Sequence, residues 1–105
     1  MTIYVDNVKI QWQGREWCHL VAETLHELHS FARALGLKRS WFQGAASYPH
    51  YDVTVEIRAK ALRLGAREGC RKKIMSCAKA LKLEQQALLA ISKPLQLPLF
   101  PGIDI

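Results

Sequence analysis

The stretch TLHELHSFARALG, residues 24–36, decides the fold because it carries both ends and the apolar side of a helix. Thr24 and Glu27 have the capping-box spacing, in which each side chain satisfies a free backbone N–H group at the helix start. An apolar stripe follows at helical spacing, formed by Leu25, Leu28, Ala32 and Leu35. Gly36 is a typical stop after the last turn. The stretch therefore predicts an amphipathic helix from Leu25 to Leu35.

Two extended segments precede this helix. Ile3-Tyr4-Val5 is β-branched and aromatic and ends at the turn-prone pair Asp6-Asn7, which predicts a short buried strand. Residues 8–12 are predicted to extend this strand or to pair with it, and residues 17–22 to form a second extended segment. The start of the chain therefore predicts a small sheet.

Weaker signals follow the first helix. Residues 37–43 include two adjacent aromatic residues and are predicted to form a strand, after which a loop continues to Pro49. Asp52 or Thr54 then caps a second helix that runs to Leu64 and stops at Gly65. The residues predicted to face inward are Ile57, Ala61 and Leu64.

A third helix is predicted from about Glu68 to Leu81, and residues 83–91 continue or restart it before Pro94 forbids further helix. The residues predicted to face inward are Cys70, Ile74, Cys77, Ala78 and Leu81. We therefore expect an α+β fold in which a short N-terminal sheet is packed by three or four helices. One domain spans residues 1–91 in this prediction, and residues 92–105 form an extended tail.

The composition indicates an ordinary globular protein. The chain has 105 residues, of which 50% are hydrophobic and 23% charged, and this suffices for one domain with its own core. No segment approaches the roughly 20 apolar residues that cross a bilayer, and the start lacks a leader pattern, so we expect a cytoplasmic protein. Cys18, Cys70 and Cys77 form no CxxC pair, which predicts free thiols.

The net charge of +6 is concentrated in one predicted helical region. Residues 58–82 hold nine Lys or Arg and one Glu, which gives +8, whereas residues 1–57 and 83–105 each sum to −1. Such a block favours DNA through release of counterions, although a solvated helical face explains it equally well. The predicted DNA-binding residues are Arg58, Lys60, Arg63, Arg67, Arg71, Lys72, Lys73 and Lys79.

Polar residues of catalytic and metal-binding types lie beside predicted turns in the N-terminal half, where functional side chains often sit on a rigid scaffold. The predicted catalytic residues are His19, Arg39, His50 and Asp52, and the predicted ligands of a divalent metal are Asp6, His19, His50 and Asp52. No HExxH or CxxC spacing supports the metal site. The plainer interpretation is that Asp52 caps a helix, His50 lies in a loop and Asp6 ends a strand.

The three tryptophans allow two interpretations. Trp12, Trp17 and Trp41, interleaved with Arg15 and Arg39, are suited to stack on the bases of single-stranded nucleic acid. Tryptophan is nevertheless a highly buried residue type on average, and burial in the core is the expectation for these three.

Three strings together resemble a family of short phage and bacterial proteins classed as a domain of unknown function. They are IYVDN at residues 3–7, GREWCHLVAETLHELHSFARALGLKRSWF at 14–42 and PHYDVTVEIRAKALRLGA at 49–66. The resemblance covers residues 3–66, and after Ala66 the chain departs from the pattern. It implies no reaction. It does imply a shared site built from the recurrent motif residues, which are His19, His29, Arg39, His50, Tyr51 and Asp52.

Gln96-Leu97-Pro98-Leu99-Phe100 is similar to the peptide by which bacterial polymerases, mismatch-repair proteins and clamp-loader subunits bind the replicative sliding clamp. Such a peptide needs a polar anchor and adjacent apolar side chains that fill a groove. The resemblance implies that Gln96, Leu97, Leu99 and Phe100 bind the clamp.

These observations favour a phage-type accessory protein of DNA metabolism, recruited to the sliding clamp by its tail and to DNA by residues 58–82. In this hypothesis His19, Arg39, His50 and Asp52 converge in one cleft with Asp6 and process a phosphodiester or a nucleotide. Two alternatives stay open: a non-enzymatic, clamp-directed inhibitor or adaptor, and a nucleotide-binding protein unrelated to replication.

Overall fold

The computed structural model describes residues 2–92 and shows an α+β fold, as the sequence predicts. The strands are β1 (Ile3–Val5), β2 (Ile10–Trp12), β3 (Arg15–Ala22), β4 (Tyr51–Thr54) and β5 (Arg67–Glu68). The helices are α1 (Leu25–Ala34), α2 (Val55–Arg63) and α3 (Arg71–Ser92), and a 3-10 helix spans Arg39–Trp41. The predicted tail beyond Ser92 lies outside the described residues.

Strand β3 holds the sheet together because it pairs along both edges. Leu20 pairs with Val5 of β1 and with Tyr51 of β4, and Trp17 is shared in the same way by β2 and β4. Strands β1 and β2 therefore lie along one edge of β3, and β4 occupies the opposite edge. Strand β5 runs parallel to β1. The predicted strand at residues 3–5 and the extended segment at residues 17–22 are confirmed, whereas β2 pairs with β3 and not with β1 as predicted.

Helix α1 begins and ends where the sequence predicts. The Thr24 hydroxyl accepts the Glu27 N–H group at 3.2 Å, and Gly36 follows the helix with φ +88°. Glu84 of α3 accepts the N–H group of Leu25 at 2.8 Å and so satisfies another free donor of the first turn. The inward stripe of α1 is buried and consists of Leu25, Leu28, Phe31 and Ala32.

Residues 37–43 do not form the predicted strand. They contain the 3-10 helix, in which the Phe42 N–H group bonds to the Arg39 carbonyl at 3.1 Å, and Gln43 makes an isolated bridge with His50. Strands β4 and β5, which are four and two residues long, are not predicted by the sequence. Strands of this length are too short to show a clear alternation of polar and apolar residues.

Strand β4 passes directly into α2. Thr54 ends the strand and caps the helix, because its hydroxyl accepts the Ile57 N–H group at 3.3 Å. Asp52 therefore lies inside a strand and does not cap the helix, which corrects the plainer interpretation of this residue. Leu64, which follows α2, is 45% exposed and does not face inward as predicted.

Helix α3 buries apolar side chains against the domain in its first half. The buried residues of this half are Ile74, Cys77, Ala78 and Leu81. Cys70 precedes the helix and is exposed, contrary to the prediction, and the three cysteines are free thiols as expected. The large apolar residues Leu83, Leu88 and Ile91 are exposed in the second half. No helix within residues 2–92 is long and apolar enough to span a membrane.

Candidate functional site

The pairing of β3 with β4 brings three of the predicted site residues together. His19 and Asp52 are direct partners in this antiparallel pair, and His50 directly precedes β4, two residues before Asp52. The imidazole rings of His19 and His50 meet edge to face, with their centroids 5.0 Å apart. We call these three residues, together with Asp6, the His/Asp cluster.

Asp6 fixes the orientation of His19. One carboxylate oxygen accepts the backbone N–H group of His19 at 2.8 Å, and the other lies 2.7 Å from its Nδ1. Burial opposes ionisation of this carboxyl, which is only 6% exposed, but the hydrogen bonds and the charge of His19 outweigh burial and lower the pKa of Asp6. An ionised carboxylate only accepts hydrogen bonds, so Nδ1 of His19 carries a proton, and in the neutral imidazole Nε2 then keeps its lone pair.

His50 faces a hydrogen-bond acceptor at each of its ring nitrogens. Its Nδ1 donates to the backbone carbonyl of Tyr48 at 2.8 Å, which leaves Nε2 facing the Asp52 carboxylate at 3.2 Å. Burial opposes a charge on His50, yet the hydrogen bonds to Asp52 and Tyr48 and the nearby negative charges raise its pKa above the ordinary value. The hydrogen bond from His50 lowers the pKa of Asp52 and outweighs burial. An ion pair therefore forms at mildly acidic pH.

The His/Asp cluster has the donor set of a divalent metal site. One ligand atom from each of His19, His50 and Asp52 lies within 4.8 Å of the others. A histidine ligand almost always donates its second ring N–H to a carboxylate or a carbonyl, as both imidazoles do here. A cation with bonds of about 2.1 Å brings its ligands to within about 4.2 Å of one another, so small side-chain movements complete the site. Two imidazoles and one carboxylate suit zinc, manganese or ferrous iron.

The four predicted metal ligands do not have equivalent positions. Asp6 differs from the other three. One atom from each of His19, His50 and Asp52 lies near a common point, whereas both carboxylate oxygens of Asp6 are bonded to His19. Asp6 therefore orients His19. The Arg58 Nε donates to the backbone carbonyl of Asp6 at 2.7 Å and thereby ties α2 to this corner of the sheet.

Arg39 contacts a different group of side chains. Its guanidinium lies 5.0 Å from the centre of the Phe42 ring, and Phe42 packs against His29 and Tyr51. The expected convergence therefore holds for His19, His50 and Asp52, and Arg39 is not among their contacts. Alternation along β4 explains the separation, because Tyr51 points into the core whereas Asp52 points to the opposite face.

His29 and Tyr51 form the polar part of this second group. Nδ1 of His29 lies 2.9 Å from the Tyr51 hydroxyl, which is otherwise buried in the core. Burial and the positive charge of Arg39 lower the pKa of His29, and burial raises the pKa of Tyr51. Both groups are therefore neutral at pH 7, and the pair serves to satisfy a buried hydroxyl.

The opposite pKa shifts of the two histidines predict opposite effects of pH on folding stability. His50, with a raised pKa, stabilises the fold fully below its ordinary pKa of 6.5, and this contribution is lost as pH rises through the folded pKa. His29, with a lowered pKa, stabilises the fold above 6.5, and this contribution is lost as pH falls through the folded pKa. In urea unfolding, His50→Gln should therefore destabilise the protein more at about pH 5 than at about pH 9. His29→Gln should destabilise it more at about pH 9 than at about pH 5. Equal losses at both pH values for both variants would contradict these assignments.

A family model described as protein of unknown function (DUF4031) matches residues 3–81. The chain belongs to the DUF4031 family. This confirms the resemblance read from the three sequence strings, but the match runs to residue 81 and does not end at Ala66. The first half of α3 is therefore part of the family pattern. No curated protein and no solved structure matches this DUF4031 chain.

The tryptophans of the DUF4031 chain line an open groove. Trp12 and Trp41 are 60% and 50% exposed, and Trp17 is half-buried, so the expected burial in the core is wrong. The groove has a volume of about 760 Å³ and lies between β2, β3, β4 and the 3-10 helix. Asp52 belongs both to its wall and to the His/Asp cluster. We call this cavity the tryptophan groove.

The basic block of the DUF4031 chain, residues 58–82, does not form one continuous helical region. The block runs through the end of α2, strand β5 and the first half of α3. Three of the predicted DNA-binding residues are half-buried and have partners: Arg58 with Glu68, Lys60 with the Leu35 carbonyl, and Lys73 with Glu23. The other five are exposed, and they are Arg63, Arg67, Arg71, Lys72 and Lys79.

Proposed function

We propose that this protein hydrolyses a phosphodiester or a nucleotide with the help of a divalent cation, as an accessory protein of DNA metabolism. One observation carries the proposal. The two imidazoles and the carboxylate of the His/Asp cluster converge, and a hydrogen bond at Nδ1 orients each imidazole. A cation at this partly exposed position would replace the proton between Nε2 of His50 and the Asp52 carboxylate, and would bind both groups together with His19.

A cation held by three protein ligands keeps coordination positions open, lowers the pKa of a bound water and polarises a phosphoryl oxygen. In the hydrolysis the water oxygen bonds to phosphorus, and the bond from phosphorus to the leaving oxygen breaks. The proton lost by the water balances the proton that the leaving oxygen takes up. The protein contributes the fixed orientation of His19 through Asp6 and of His50 through the Tyr48 carbonyl.

The test is hydrolysis of bis(4-nitrophenyl) phosphate and of nucleotides by the full chain, first freed of metal with a chelator and then supplied with manganese or zinc. We expect activity that needs the added cation and is lost in His50→Ala. His26→Ala is the matched control, because His26 is an exposed histidine outside the cluster. Hydrolysis that is absent with every cation, or equal in the two histidine variants, would refute the proposal.

The second candidate is a non-enzymatic, clamp-directed inhibitor or adaptor, which the peptide at residues 96–100 favours. These residues lie outside those that the structure describes. The candidate predicts no hydrolysis, together with binding to the bacterial sliding clamp. A third candidate, a nucleotide-binding protein unrelated to replication, predicts nucleotide binding without clamp binding.

Clamp binding through the tail remains a prediction from the sequence. Gln96 supplies the polar anchor, and burial of Leu99 and Phe100 at about 1.5–3 kcal/mol each, less the cost of association, gives an affinity on the order of micromolar. Titration of purified clamp should show binding by the full chain. We expect none by a chain that ends at Lys93 and none by the Leu99→Ala/Phe100→Ala variant. Equal binding by all three proteins would exclude the tail as the ligand.

DNA binding is expected to depend on the exposed part of the basic block. At 3.6 residues per turn, Arg71, Lys72 and Lys79 lie within a sector of about 100° of α3. Reversing these three charges should weaken binding and make it less dependent on salt, since each lost phosphate contact removes about 0.9 from the slope of log affinity against log salt. Arg33→Glu, an exposed site on α1, is the control in the same salt series. Unchanged affinity in the triple variant would leave the block as a solvated face.

A further inference from the structure

The tryptophan groove adjoins the His/Asp cluster, and the hydrolysis proposal assigns it no role. Three indoles line it, and Ile10 and Ile57 add apolar surface. Ser40, Gln43 and Thr54 place polar side chains among these apolar walls. A largely apolar cavity with a few convergent polar groups is the usual form of a ligand site.

The aromatic walls are held in place before any ligand arrives. The Trp17 Nε1 donates to the Trp12 carbonyl at 3.0 Å, and the two indole rings meet edge to face with centroids 6.1 Å apart. Trp41 stands across the groove on the 3-10 helix, with the Lys38 ammonium 5.7 Å from its ring centre. Fixed side chains lose little freedom on binding, which favours affinity.

Cations lie beside this aromatic surface. Arg15 is part of the groove wall, Lys38 lies over Trp41, and the Lys60 ammonium bonds to the carbonyl of Leu35, itself a wall residue. Fixed aromatic faces next to cations match a polyanion that carries flat rings. A purely apolar peptide would use the indoles but would gain nothing from these charges.

We propose that the tryptophan groove binds the bases of single-stranded nucleic acid. Stacking on indole faces holds the bases, and the neighbouring cations contact the phosphates. Asp52, shared by the groove and the His/Asp cluster, places the cluster beside the bound strand. This last step rests on the proposed hydrolysis, whereas base binding in the groove does not.

The experiment compares two oligonucleotides of about eight units, a length within the usual single-strand site size. One is oligothymidylate, and the other is the abasic strand with the same phosphates. Binding to the full chain is followed by anisotropy of the labelled strand in the presence of a chelator, so that no metal is needed. A ribonucleotide strand of equal length then separates RNA from DNA as the preferred ligand.

We expect the abasic strand to bind at least about 5-fold more weakly than oligothymidylate, because even one lost stacking contact costs that much. Trp41→Leu should weaken binding of oligothymidylate by about 5- to 150-fold and leave the abasic strand unaffected. Leu83→Ala, an exposed apolar site on α3, is the control and should bind as the unmodified chain does. Equal binding of the two strands, or an unchanged affinity in Trp41→Leu, overturns the inference.

A separate titration with manganese alone distinguishes this inference from the hydrolysis proposal. Base-dependent binding without any metal binding supports the groove inference and counts against the metal-dependent hydrolase. Metal binding and hydrolysis without base-dependent binding overturn the groove inference and leave the hydrolase proposal in place.

Discussion

Replacing Asp6 by asparagine is expected to lower the affinity of the protein for a divalent cation by about 10- to 100-fold, although Asp6 offers no free ligand atom. The carboxylate accepts two hydrogen bonds from His19, one from the backbone and one from Nδ1. An asparagine has a single acceptor oxygen, so its amide N–H group must face one of these two donors. A change of tautomer accommodates the amide with the least disruption: His19 Nδ1 accepts the amide N–H group and Nε2 carries the proton.

That change removes the lone pair on His19 that the proposed metal site requires. Asp52→Asn provides the comparison, because it replaces a proposed ligand directly and should lower the affinity by more than about 100-fold. Isothermal titration with manganese or zinc measures both losses, and His26→Ala again controls for adventitious binding by exposed histidines. Nitrogen-15 spectra of the imidazoles report the tautomer. If the role of Asp6 were purely structural, Asp6→Asn would leave the tautomer of His19 unchanged. A proton that remains on Nδ1 of His19 in Asp6→Asn, with unchanged metal affinity, would contradict the orienting role.

The sequence predicts those parts of the fold that have long or well-marked signals. Helix α1 has a cap, an apolar stripe and a glycine stop, and its predicted start agrees with the structure and its predicted end lies within one residue. The aromatic residues of segment 37–43 favour a strand by local propensity, but the segment has no partner strand along most of its length. It therefore contains a 3-10 helix and the predicted strand is absent. Strand β4 was hidden because Thr54 caps a helix and ends a strand at once, so the cap signal was assigned and the strand was missed.

The site could be predicted as a list of residues but not as an arrangement. His19, His50 and Asp52 meet because β3 and β4 pair in one register, which no local pattern specifies. Had β4 been recognised as a strand, the alternation of Tyr51 with Asp52 would have separated the residues of the cluster from those of the core. The role of Asp6 could not be predicted from local sequence either, because Asp6 orients His19 only when the folded sheet brings the two residues together.

The tryptophan groove was mispredicted for a physical reason. The prediction of buried tryptophans rests on the average burial of this residue type. Strand Ile10–Trp12 departs from that average, because all three of its residues are exposed. Trp12 therefore stands on the surface of the sheet edge, and Trp41 reaches the groove only because its segment turns into a 3-10 helix. The proximity of exposed Trp, Arg and Lys side chains to the His/Asp cluster depends on the folded structure.

Replacing Leu81 by alanine is expected to destabilise the domain by about 2–5 kcal/mol, the usual range for a fully buried leucine. Leu81 is 0% exposed and belongs to the core cluster that also contains Leu28 and Tyr51. It lies at the last residue of the family match and at the end of the buried half of α3. The loss should therefore combine the transfer cost of the removed carbons with the cost of a cavity between α3 and the core.

Leu83→Ala provides a matched control because it removes the same atoms two residues later on the same helix. Leu83 is 67% exposed, and its truncation should change the free energy of unfolding by less than about 0.5 kcal/mol. Urea unfolding of the full chain and of the two variants, with the midpoint and the slope compared separately, measures the difference. Equal losses in the two variants would mean that the second half of α3 is packed as tightly as the first, contrary to the exposure of Leu83, Leu88 and Ile91. A large loss in Leu81→Ala alone would fix the boundary of the cooperative core within α3, close to the end of the family pattern at residue 81.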